Sequence, residues 1–167
     1  ALELTVQLLA AFQMLKYEGI VHNDVKPANI MVKEKAGRFT IKLIDFGASE
    51  SDGSHSGKSA GTPEYMSPER LAGQPGDIRS DIYAAGVLLY ELLTGEHFVP
   101  IIRREKGWFD RLKADQRSKL SDLDAVLDQA LKPLSRAGGA GSAPKAAVLK
   151  NIIASAIDAD PAKRYQS

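Results

Sequence analysis

The chain has no cysteine among its 167 residues. Disulfides and thiolate metal sites are therefore excluded, and the composition suits a reducing compartment such as the cytoplasm. Charge of one sign is also missing. A formal net charge of +1 gives no reason to expect a nucleic-acid or membrane partner. The longest apolar run, "IYAAGVLLYELL" at 82–93, is too short to span a bilayer and carries Glu91. The opening "ALELTVQLLAAF" has no basic start and holds Glu3, so this stretch does not read as a secretory leader. It also lacks an initiator methionine, so the chain is expected to be a piece of a longer protein. His22, His55 and His97 share no metal-ligand spacing, and there is no internal repeat.

The chain that remains is 44% hydrophobic and 26% charged, ordinary for a soluble globular protein. Its length suffices for one domain, or a large piece of one, with its own core. Leu2, Val6, Leu9, Phe12 and Leu15, with Leu8 beside them, recur at helical spacing up to a stop at Gly19. "IMV" at 30–32 and "FTIKLI" at 39–44 flank the turn-like "KEKAGR" and predict a hairpin. Residues 48–63 are nearly all small or polar and predict a mobile loop. A helix is expected over 80–94, ended by Gly95. Another is expected on Leu120, Leu123, Leu127, Leu131 and Leu134, widened by Val126 and Ala130. "SRAGGAGSAP" at 135–144 predicts a flexible linker, followed by a last helix over 145–157.

Between two apolar runs stands "HNDVKPAN". Pro27 fixes its own φ and drives Lys26 out of helical conformation, so the segment is a loop. Such a loop can turn Asp24, Lys26 and Asn29 toward one point. A carboxylate that orients a hydroxyl, an ammonium that steadies phosphate and an amide oxygen that ligates Mg²⁺ are what phosphoryl transfer needs. The bland alternative is a surface turn with a local salt bridge. Matching the five positions of H-x-D-x-K-P-x-N by chance, at about one in twenty each, disfavours it. "LIDFG" at 43–47 then puts Asp45 at a strand end, where a hard cation could find a second oxygen, and Gly47 lets the following loop leave. "GTPEYMSPER" at 61–70 and "SDIYAAG" at 80–86 follow.

These motifs, in this order, resemble the C-terminal lobe of eukaryotic-type Ser/Thr protein kinases of bacterial style. The likeness runs from residue 1 to 167 and takes in "IIASAIDADPAKRYQS". It implies a mainly α fold with a short β-hairpin at the catalytic site, and an activation segment over 45–69. It further implies Asp24 as catalytic base, Lys26 on the γ-phosphate, Asn29 and Asp45 as ligands of Mg²⁺ or Mn²⁺, and Met31 flooring the adenine of ATP. His22 and Phe46 resemble members of the packed stack behind the site, with His22 a satisfied core histidine. Thr62 resembles the substrate-loop threonine bonded to Asp24 and Lys26. Glu69 and Arg164 resemble a buried ion pair, and Asp81 the helix aspartate that holds the catalytic-loop backbone. Protein substrates are implied as partners. Lys26 and Thr62 favour Ser and Thr hydroxyls over Tyr.

Three positions depart from the family pattern. Asn23 stands where many regulated kinases carry an arginine that pairs with a phosphate on the activation loop, so switching by that ion pair is not expected. Ser67 replaces alanine, and Tyr83 replaces a tryptophan common in animal kinases. "GSHSGKS" at 53–59 is one residue short of a P-loop, and "GGAGSAPK" at 138–145 lacks the glycine before lysine. Residues 103–119, with seven basic and three acidic residues around Trp108 and Phe109, read as a wet helix face or a docking patch. A non-catalytic scaffold is the rival reading, disfavoured by intact Asp24, Asn29 and Asp45. A small-molecule kinase is disfavoured by "GTPEYMSPER". Residues 1–167 include no glycine-rich strand or strand lysine, so the lobe that carries them is expected to be missing from this chain. Residues 1–167 by themselves are therefore predicted to hold ATP poorly, and a nucleotide titration returning micromolar affinity would contradict this.

Overall fold

A computed structural model describes residues 2–51, 61–99, 107–121 and 142–166, and the helical positions 125 and 129. Its longer elements are α1 (Leu2–Tyr17), β1 (Ile20–Val21), β2 (Ile30–Lys35), β3 (Arg38–Leu43) and β4 (Glu50–Ser51), then α2 (Pro68–Leu71), α3 (Ile78–Thr94), α4 (Trp108–Ser121) and α5 (Ser142–Ala156). Single 3-10 turns at Pro27–Asn29, Pro63–Tyr65 and Pro161–Lys163 each begin on a proline. The prolines' fixed φ suits the first helical position.

α3 is the axis. Asp77 caps its N-terminus, accepting from the Arg79 amide at 2.8 Å, and Gly95 closes it in the left-handed region. The residues from Ser80 to Tyr90 are all buried, because α3 is covered on several sides. α1 and β1 pack on one side and α5 on another. Two apolar clusters meet along it. Leu8, Phe12 and Val25 join Ile82 and Leu88, while Val87 and Tyr90 join Phe98, Leu112 and Ile153.

The buried face of α1 differs from the expected one. Val6 and Leu9 are exposed, whereas Leu8 and Phe12 are buried and Leu4 and Leu15 partly so. At about 100° per residue, Leu4, Leu8, Phe12 and Leu15 share a narrow stripe, and Val6 lies on the opposite side. A leucine-rich helix offers two stripes, and packing against α3 selects one.

β2 and β3 form the expected hairpin, in longer strands, with Ile30 opposite Leu43 and Lys35 opposite Arg38. The link shrinks to Ala36 and Gly37, both at positive φ as a two-residue hairpin turn requires. Within the loop expected over 48–63, Glu50 and Ser51 instead pair with Val21 and Ile20. Backbone hydrogen bonding orders these polar residues without burial. Residues 52–60 lie outside the described residues. So do most of the helix expected on Leu123 to Leu134 and positions 135–141 of the linker. Positions 142–144 of that linker are helical, since Pro144 sits in the first turn of α5, where no amide partner is needed.

α5 crosses α3 at Gly86. A Cβ there would stand 2.6 Å from Ile157 Cγ2 and 2.7 Å from Ala156 Cβ. Gly86→Ala is predicted to destabilise the protein by about 1–3 kcal/mol through overpacking. A urea-unfolding midpoint equal to wild type would refute this close crossing.

Candidate active site

The loop between β1 and β2 is held from below by Asp81, in the first turn of α3. Its Oδ2 accepts the His22 amide at 2.7 Å and its Oδ1 the Asn23 amide at 2.9 Å. Asp81 is 1% exposed. Burial pushes its carboxyl up to about 7 against the opposing pull of these two amides and of Arg70. Asn23 is left-handed, with φ 67°, a conformation that asparagine tolerates better than most residues.

His22 is wholly buried. The Asp24 amide donates to its Nδ1 at 3.3 Å, so the ring proton sits on Nε2 and is given to the Ile44 carbonyl at 3.1 Å. Burial, outweighing the Ile44 bond and nearby carboxylates, lowers its pKa. The imidazole is neutral and satisfied, which fits a core histidine. Phe46 lies against it, ring centroids 4.8 Å apart, with its other face exposed.

Above this support the polar groups close on one another. Thr62 Oγ1 donates to Asp24 Oδ1 at 2.7 Å and accepts from Lys26 Nζ at 2.8 Å. Lys26 Nζ also lies 2.8 Å from Asp24 Oδ2. Asn29 Nδ2 donates to Asp24 Oδ2 at 3.0 Å and to the Asp24 carbonyl at 2.8 Å. Burial would raise Asp24, but the bonds from Lys26, Thr62 and Asn29 outweigh it and hold the carboxyl below its ordinary value. Asp24 is thus an ionised acceptor at neutral pH. Thr62 reaches it because Gly61 passes close to the loop, at φ 128°. A Cβ on Gly61 would stand 2.7 Å from the Asn23 carbonyl oxygen.

Asp24, Lys26, Asn29 and Thr62 are therefore brought into direct contact. Asp45 is placed beside them through the backbone: the Ile44 amide donates to the Asn29 carbonyl at 2.9 Å. The Asp45 carboxylate is exposed and accepts the Gly47 amide at 3.2 Å. Among the described residues no group of three His, Cys, Asp or Glu is arranged to hold a metal ion. Asn29 and Asp45 each carry an oxygen of the kind a hard cation takes alongside phosphates and water. Met31 is 58% exposed on the hairpin face.

Away from the loop, Arg164 meets Glu69 through two bonds of 2.7 and 2.8 Å. Arg164 also donates to the Asp158 carbonyl at 2.7 Å, and Ser80 Oγ to Glu69 Oε1 at 2.9 Å. The guanidinium lies over Tyr83, 5.0 Å from the ring centroid. The tyrosine at that position therefore still offers an aromatic face to the cation.

A model of the protein kinase domain matches residues 1–167. The chain belongs to the protein kinase family. The "Probable serine/threonine-protein kinase PknB" of Corynebacterium glutamicum is 34% identical over 173 residues, covering 100% of this chain and 24% of that protein. The serine/threonine-protein kinase pkn2 of Myxococcus xanthus is 34% identical, covering 100% of this chain and 19% of its own. Pkn3 of the same organism reaches 44% identity over 53% of this chain and 18% of its own. This kinase chain thus spans about a quarter or less of those relatives' length.

Arg70, Gly76 and Gln116 were not singled out from the sequence. Gln116 is buried on α4 and donates to the Met66 carbonyl at 2.8 Å, bracing the segment after Thr62. Arg70 is buried in the four-residue helix α2 and donates to Asn23 Oδ1. A helix that short carries no periodicity from which an inward-facing arginine could be read.

Burial would raise Glu69, but the bonds and charge of Arg164 overcome it and hold Glu69 below its ordinary 4.5. A lowered carboxylate contributes stability above its unfolded pKa, and that contribution is lost as pH falls through the lowered value. Arg164→Ala leaves a buried carboxylate unpaired and is predicted to cost about 3–5 kcal/mol at neutral pH. The difference from wild type should narrow in acid-unfolding curves below about pH 4.5. Equal curves at all pH would contradict the pair.

Proposed function

We propose that this chain is the C-terminal lobe of a Ser/Thr protein kinase and that, as part of the full-length protein and not by itself, it carries the residues that transfer phosphate from ATP to protein hydroxyls. The closed contact of Asp24, Lys26, Asn29 and Thr62 carries the reading. In it an ionised carboxylate, an ammonium and a hydroxyl share one point on a loop anchored to the core. Asp24 orients the substrate hydroxyl and accepts its proton. Lys26 holds its cation where phosphate charge is to be steadied, and Thr62 keeps both in place. Asn29 already gives its amide nitrogen to Asp24, which leaves its oxygen for a cation shared with Asp45. Mg²⁺ or Mn²⁺ bound there would neutralise nucleotide phosphate charge. Met31 offers an apolar floor for adenine, and the ATP chemistry suits the cytoplasm.

A scaffold without catalysis is the weaker reading, because all three polar positions are present and Asp24 and Asn29 are engaged with each other. The relatives are named serine/threonine-protein kinases, which supports transfer to Ser and Thr. The test is phosphate transfer by the full-length protein to a generic basic protein. Asp24→Asn is predicted to lower the rate by about 10²–10⁴-fold. An unimpaired variant would remove Asp24 as the base.

A further inference from the structure

The arginine expected beside the catalytic aspartate is absent, yet a guanidinium occupies the interior behind it. Arg70 reaches in from α2, is 6% exposed and donates to Asn23 Oδ1. Asn23 uses its other end, Nδ2, to donate to the Ala48 carbonyl at 3.3 Å, one residue past Gly47. Its backbone amide is held by Asp81, and Arg70 acts on Asp81 through charge. Three segments therefore meet on one carboxamide: α2, the catalytic loop and the residues after "DFG". A Cβ at Gly76 would stand 2.7 Å from Arg70 Cδ and 3.0 Å from Asn23 Oδ1. The glycine thus leaves the space that the arginine fills.

We propose that Arg70 and Asn23 are positioning residues for phosphoryl transfer, a buried latch in which Arg70 orients the Asn23 carboxamide so that it ties Ala48 to the catalytic loop. A carboxamide is suited to this task because one end accepts and the other donates. The cation sits on the neighbouring helix, so the link needs no charge on the activation segment. Placement by one side chain reached through another is sensitive to small shifts. An ångström of displacement at Asp24 or Asp45 can cost on the order of a hundredfold in rate. The rate consequence rests on the kinase reading above; the latch itself does not.

The experiment uses the full-length protein with two readouts, hydrogen exchange of the segment 45–51 and steady-state kinetics on a basic protein substrate. Arg70→Met is expected to speed exchange at 45–51 while α1 and α3 keep wild-type protection. It should lower kcat by about tenfold or more with KM for ATP within about threefold. Arg70→Lys, which keeps a donor for Asn23 Oδ1, should recover most of the loss. Asn23→Asp loses the donation to Ala48 while its added charge faces the Arg70 guanidinium as acceptor, so it tests the latch without emptying the arginine's site. It should speed exchange at 45–51 and lower kcat as Arg70→Met does. Unchanged exchange in Asn23→Asp, or faster exchange with unchanged kcat, overturns the proposal. If wild type transfers no phosphate, the kinase reading fails instead, and exchange alone decides whether the latch exists.

Discussion

The loop between β1 and β2 depends on one buried carboxylate. Asp81 accepts the amides of His22 and Asn23, and so fixes the backbone from which Asp24 projects. A buried carboxylate is costly unless its lone pairs are filled, and here both oxygens are engaged. The loop in turn needs those acceptors, because Asn23 sits at positive φ and its amide points inward. Support and loop satisfy each other. His22 continues the same logic on the other side, passing a bond from the Asp24 amide through its ring to the strand that leads to Asp45.

The second support is more distant. Glu69 and Arg164 are 95 residues apart in sequence and joined by two bonds inside the protein. Pairs of this kind add little to stability compared with apolar packing, but they tolerate only one arrangement of the segments that carry them. This pair holds the end of the segment that begins with Gly61 and Thr62. Gln116 braces the same segment at Met66. Thr62 therefore reaches Asp24 from a stretch fixed at several points, which is how a site keeps its geometry without a bound ligand.

Much of this was legible in order and spacing. Asp24, Lys26 and Asn29 stand in a proline-broken loop, so their convergence followed from local chemistry. Gly95 ends α3 as expected, whereas the helix starts at Ile78, two residues before the expected 80, because Asp77 caps it there. The stripe of α1 was not legible, since Val6 and Leu9 are as apolar as Leu4 and Leu8, and only contact with α3 distinguishes them. The pairing of Glu50 and Ser51 with β1 was hidden for the opposite reason. Those residues are polar, and the bonds that order them are backbone bonds, which side-chain type does not encode. Arg70 was invisible because its role depends on Asn23, 47 residues earlier.

The contacts around Asp24 have a directional consequence. A carboxylate offers about four lone-pair sites. Lys26 and Asn29 occupy those of Oδ2, and Thr62 takes one on Oδ1. Among the described residues, Oδ1 keeps one lone-pair direction without a donor. A hydroxyl donating to this carboxylate would therefore have that one direction of approach, fixed before it arrives.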